Sequence, residues 1–116
     1  MVVRFSDLCV DAADTDRLAS WWAQVLDWPK ENTDDGDVIL RAPAGAGPNL
    51  LFLAVPEGKV CKNRLHIDLT PDDQQAEVDR LIALGATRVD IGQGEQTWVV
   101  LADPEGNEFC ILAPND

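Results

Sequence analysis

Two spacings of apolar residues take turns along the chain. Val2 to Val10 is rich in β-branched and apolar residues and predicts a strand, with Leu8, Val10 and Ala12 on one face and Asp7, Cys9 and Asp11 on the other. Asp14 then reads as a helix cap, with Asp16 at the positive end of the dipole. Leu18, Trp21, Trp22, Val25 and Leu26 make one helical stripe, and Pro29 closes the helix. Val38 to Ala42 and Asn49 to Val55 read as strands, and Trp28 to Asn32 as a weak edge strand that Pro29 would keep at the margin.

The second half repeats this order. RLHIDLT puts Leu65, Ile67 and Leu69 on one face and Arg64, His66 and Asp68 on the other. Thr70-Pro71-Asp72-Asp73 predicts a helix start with Thr70 as cap and Pro71 in the first helical position. Val78, Leu81 and Ile82 form its stripe, and Gly85 ends it. Thr87 to Ile91, Thr97 to Ala102 and Glu108 to Leu112 read as strands, the last two joined by a hairpin at Asp103-Pro104-Glu105-Gly106-Asn107.

The halves align at a nearly constant offset. Asp7 falls opposite His66 and Asp14 opposite Asp73, each 59 positions on, while Leu26 and Leu84 are 58 apart. An internal duplication follows. The predicted fold is α+β: residues 1–116 form one domain of two βαβββ modules, one about 1–58 and the other about 63–116. Their strands curve into a mixed sheet around a cleft, with the helices on its outer face. Leu8, Val10, Leu18, Trp21, Leu65, Ile67, Leu81, Phe109 and Ile111 make the expected core. Asp7, Phe52, His66 and Cys110 are expected on the open face.

Charge removes several functions. Nine Lys and Arg against 21 Asp and Glu give −12, a balance that repels nucleic acid and anionic lipid. Neither a membrane span nor a signal peptide is legible. Three cysteines without CxxC spacing argue against disulfides and zinc knuckles, so a cytoplasmic location is the expectation. The glycines of PAGAGPN and GQGEQ lack the pattern of phosphate loops, and the acidic groups at 34–37 and 72–73 lack EF-hand spacing.

Four stretches carry a family resemblance: DAADTDRLASWWAQVLDW (Asp11 to Trp28), NRLHIDLTPDD (Asn63 to Asp73), LIALGATRV (Leu81 to Val89) and LADPEGNEFCIL (Leu101 to Leu112). The chain resembles the glyoxalase, bleomycin-resistance and dioxygenase group, the vicinal oxygen chelate superfamily, and most closely its small glyoxalase-like domain proteins. The resemblance implies paired βαβββ modules, a homodimer and a small-molecule cleft. It also implies, for the metal-dependent members, a divalent ion held by the first and last strands of each module. Those ligand positions fall on Asp7, near Phe52, on His66 and on Cys110, where such members usually carry Glu.

Each candidate has two readings. His66, the one histidine, is a metal ligand or general base, or else a pocket residue hydrogen-bonded to a neighbour such as Asp68 on the same face. Asp7, His66 and Cys110 could together hold Zn, Ni, Fe or Mn; alternatively Cys110 is a small buried residue. Cys9 could act as a nucleophile only with His66 as its base. Cys61 lies in a loop. Phe52, which has no donor atom, and Trp98, placed on a central strand, would give an apolar wall for a planar ligand. The leading expectation is a largely metal-free protein that binds or sequesters a small apolar or planar molecule, with Asp7, Cys9, Phe52, His66, Asp68, Trp98 and Cys110 as its ligand-binding residues. The alternative is a metal-dependent lyase or dioxygenase using His66, Asp7 and Cys110, and a purely structural module is third.

Overall fold

The structure, a computed structural model, describes residues 4–89 and 97–114. It divides into two compact units, Met1–Gly58 and Lys59–Asp116. Unit 1 runs β1 (Asp7–Ala12), α1 (Thr15–Leu26), β2 (Lys30–Asn32), β3 (Val38–Leu40) and β4 (Asn49–Ala54). Unit 2 runs β5 (Ile67–Leu69), α2 (Gln74–Leu84), β6 (Thr87–Arg88), β7 (Val99–Ala102) and β8 (Glu108–Ile111). Each unit forms its own four-stranded sheet, ordered β1-β4-β3-β2 and β5-β8-β7-β6. In both, the first strand pairs parallel with the last and the other pairs are antiparallel. The expected α+β fold with a repeated βαβββ unit is therefore present.

Unit 1 is built on α1. The Asp14 carboxylate accepts from the Arg17 N–H at 3.1 Å and satisfies one of the orphan donors of the first turn. Thr15, Leu18, Ala19, Trp21 and Trp22 are buried, and the two indoles meet edge to face with centroids 5.1 Å apart. The helix ends at Asp27, which takes the left-handed conformation at φ 56°, two residues before the proline expected to stop it. Under α1 lie β3 and β4. In register, Val10, Phe52 and Val38 form one row and Leu8, Leu50 and Leu40 another. The weak strand predicted at Trp28 to Asn32 is the edge strand β2, tied to α1 by Lys30 Nζ at 2.6 Å from Asp16 Oδ1 and 2.9 Å from Ser20 Oγ.

Phe52 corrects an expectation. In a parallel pair, partners in register share a face, so Phe52 points to the same side as Val10 and is fully buried. It is core, not open face. The opposite face at that level carries Leu51, in register with Cys9. The first strand also begins at Asp7 rather than Val2, with residues 1–3 outside the described range. Leu8 and Val10 are half-buried.

Unit 2 departs further from expectation. β5 has only three residues, and Leu65 is 80% exposed instead of in the core. Ile67 is half-buried; Leu81, Phe109 and Ile111 are buried as expected. Helix α2 is capped by Asp73, whose carboxylate accepts from the Ala76 N–H at 3.1 Å, and not by Thr70. Pro71 therefore precedes the helix. Ile82 is exposed, and Val78 and Leu81 carry the buried side. Gln74 adds polar fastening, its side-chain amide donating to the Ile111 carbonyl at 2.9 Å and the Thr97 carbonyl at 2.8 Å. Gly85 ends the helix at φ 115° as expected. Gly92, Gly94 and the far part of the strand predicted at Thr87 to Ile91 lie outside the described residues.

Candidate functional site

The hairpin between β7 and β8 sets the height of the last strand. Asp103 is buried, and its Oδ1 accepts from the Glu105 and Asn107 N–H groups at 3.0 and 2.9 Å. The Asn107 side-chain amide closes on both carboxylate oxygens. The DPEGN stretch is thus a self-satisfied turn, with Gly106 supplying the positive φ of 88°.

From that turn β8 delivers Glu108 and Cys110 to the face opposite Phe109 and Ile111. The parallel register of β5 with β8 sets Asp68 across from Cys110. His66 immediately precedes β5, and its Nε2 lies 3.0 Å from Asp68 Oδ1. Ligand atoms of His66, Asp68 and Cys110 all fall within 4.8 Å of one another. His66 and Asp68 are half exposed and Cys110 is buried. Burial pushes the Cys110 thiol above its ordinary value. The charge of Asp68 and a hydrogen bond to it push the same way, and Lys62 opposes them. The thiol is neutral at physiological pH.

Glu108 was not singled out in the sequence. Its carboxylate accepts from Lys59 Nζ at 3.1 Å and from the Asn63 N–H at 3.2 Å. Burial raises its pKa, but hydrogen bonds from its own N–H, Lys59 and Asn63, with the Lys59 charge, hold it below the ordinary glutamate value. The alternation along β8 contained the signal, since Glu108 and Cys110 share a parity.

Asp7, Cys9 and Phe52 belong to unit 1, and Cys61 and Trp98 to unit 2. Asp7 accepts from the Asn49 side-chain amide at 3.1 Å and from Ser6 Oγ at 3.2 Å, and Asn49 Oδ1 accepts from the Ala42 N–H at 2.9 Å. It fastens β1 to β4 within unit 1. Cys9 and Cys61 are exposed. Trp98 sits just before β7 instead of on a central strand and is 36% exposed.

A sequence profile described as the glyoxalase-like domain matches residues 7–112. The chain belongs to the glyoxalase-like domain family. Its fold is similar to that of a glyoxalase/bleomycin resistance protein/dioxygenase family enzyme from Burkholderia phytofirmans PsJN, with TM-score 0.71, 18% identity, and 96% and 98% of the two chains covered. TnmS3, an antibiotic binding protein from Streptomyces sp. CB03234, gives 0.67, 18%, 97% and 97%. The trypanothione-dependent glyoxalase I of Leishmania major gives 0.69 and 16%, covering 98% of this chain and 88% of that one. No curated protein matches the sequence.

The family brings a divalent ion into question. In this glyoxalase-like protein, imidazole, carboxylate and thiol are of the types zinc accepts, and their proximity suits one ion. His66, Asp68 and Cys110 would hold it. The third donor within unit 2 is Asp68, which the sequence marks as a ligand-binding residue and a neighbour of His66 but not as a metal ligand. The two side chains meet as an ion-pair contact, with Nε2 3.0 Å from Oδ1.

Proposed function

We propose that this glyoxalase-like protein binds a small organic molecule on the face of the unit 2 sheet that carries His66, Asp68 and Cys110. The observation that carries the reading is the 3.0 Å His66–Asp68 contact beside a neutral thiol. Nε2 of His66 faces the Asp68 carboxylate, and Nδ1 is the ring nitrogen left for a ligand. It meets no partner among the described residues, and a ligand hydroxyl or N–H fits it. A proton taken there would be stabilised by the Asp68 carboxylate, so the same pair could serve binding or general-base work. Val100, in register with Cys110, supplies an apolar neighbour. The likeness to an antibiotic binding protein supports the binding reading, and of the two aromatic residues expected to wall the ligand only Phe52 is buried in the core.

The clustering of three donor types favours a second reading, a metal centre. A bound divalent ion would supply Lewis-acid chemistry. Metal analysis of untagged protein, paired with NMR titration of a small aromatic alcohol library, separates the two. Binding predicts largely metal-free protein, shifted resonances at 66–69 and 108–111, and a loss of about 1 kcal/mol in His66→Ala. Stoichiometric zinc, nickel, iron or manganese that vanishes in both His66→Ala and Cys110→Ala would replace this reading with the second.

A further inference from the structure

The acidity of the chain reverses over one short stretch. Residues 58–67 contain Lys59, Lys62 and Arg64 and no acidic residue, in a chain of nine Lys and Arg against 21 Asp and Glu. This strap leads directly into His66 and is fastened beside the site: Lys59 Nζ and the Asn63 N–H both bond the Glu108 carboxylate. Its charges are unevenly matched. Lys59 is neutralised by Glu108, and Asp68 is engaged with His66. Lys62 donates only to the Asn63 carbonyl, at 3.4 Å. Neither Lys62 nor Arg64 meets a carboxylate among the described residues. Lys62 lies near enough to Cys110 to act on its thiol electrostatically.

We infer that the molecule taken up at this site is a small organic anion whose carboxylate or phosphate is recognised by Lys62 and Arg64. The inference rests on the binding reading above and names its ligand class. Arg64 offers a planar fork suited to two oxygens, and Lys62 a point charge. The net charge of −12 does not forbid this. Screening confines the field of distant acids to about 8 Å at physiological ionic strength, so the nearest uncompensated charges dominate. The exposed side chains of Val60 and Leu65 on the same strap suit an anion with an apolar body.

Three probes of similar size test it by NMR on the full chain at low salt: benzoate, phenyl phosphate and neutral benzyl alcohol. At least one anion should perturb residues 59–66 and 110 and bind about fivefold more tightly than the alcohol. Benzoate and phenyl phosphate then distinguish the two anion types. The advantage should disappear in Lys62→Gln/Arg64→Gln and shrink with added salt. Equal binding of all three, or an advantage retained in the double variant, overturns the inference and leaves the binding reading standing. No perturbation of these residues by any probe overturns both. Cys61 gives a ligand-free check. Its alkylation by iodoacetate relative to iodoacetamide should exceed the same ratio at Cys9, which lies between Asp7 and Asp11, and the double variant should remove the difference. Equal ratios in the wild type would also overturn the inference.

Discussion

Unit 1 and unit 2 share a strand order, a parallel first-to-last pairing and an aspartate cap, yet they use them differently. The pair Cys9 and Leu51 in unit 1 recurs as Asp68 and Cys110 in unit 2, each 59 positions later and in the same register. Asp7 becomes His66, and Asn49 becomes Glu108. In unit 1 these positions hold an aspartate fastened to Asn49, an exposed cysteine and a leucine. In unit 2 they hold an imidazole, two carboxylates and a buried thiol. Packing differs in the opposite sense, since α1 buries Leu18, Trp21 and Trp22 whereas α2 buries only Val78 and Leu81. The frame is common, and side chains at equivalent positions decide which half is mostly core and which gathers imidazole, carboxylate and thiol groups.

The sharpest test of that correspondence is a neighbouring pair in β4. Phe52→Ala empties a fully buried site and should cost about 3–5 kcal/mol. Leu51→Ala, on the opposite half-buried face, should cost less than half as much. Urea denaturation followed by tryptophan fluorescence measures both. Equal losses would mean that Leu51 and Phe52 do not lie on opposite faces, and the equivalence of Leu51 with Cys110 would fall.

Glu108 breaks the symmetry on the polar side. Its side chain is 11% exposed and doubly bonded, so Glu108→Gln should cost about 1–3 kcal/mol at neutral pH. Its folded pKa is depressed. The stability it gives is therefore complete above the unfolded glutamate value and is lost as pH falls through the folded one. The gap between wild type and Glu108→Gln should narrow below the ordinary glutamate range. A gap that stays constant down to strongly acidic pH would show that the carboxylate charge is not what holds the Lys59 strap.

The element order was legible because strand and helix periods are local properties, and His66 beside Asp68 followed from a spacing of two in RLHIDLT. What the sequence hid was non-local. Phe52 and Leu51 are both apolar, and only pairing with β1 tells which one faces α1. The exposure of Leu65 depends on β8 having no strand residue to pair with it before Glu108, since the ladder opens at Ile67–Phe109. Glu108 was overlooked because its partners, Lys59 and Asn63, lie more than forty positions away. The duplication held information left unused. The 59-position offset maps the capping Asp14 onto Asp73, against the local signal of Thr70-Pro71.

That conflict yields the smallest and cleanest test. A threonine followed by proline and two acids is a strong local start signal, but Pro71 there would begin the helix three residues early. The structure instead uses the Asp73 carboxylate on the Ala76 N–H, as unit 1 uses Asp14 on the Arg17 N–H. Removing either carboxylate orphans one first-turn donor, so Asp14→Ala and Asp73→Ala should each cost about 1 kcal/mol. Thr70→Ala touches no cap and should stay within about 0.5 kcal/mol. Thermal denaturation of the three variants compares them directly. A larger loss from Thr70→Ala than from Asp73→Ala would place the helix start at the local signal and end the equivalence of the two caps.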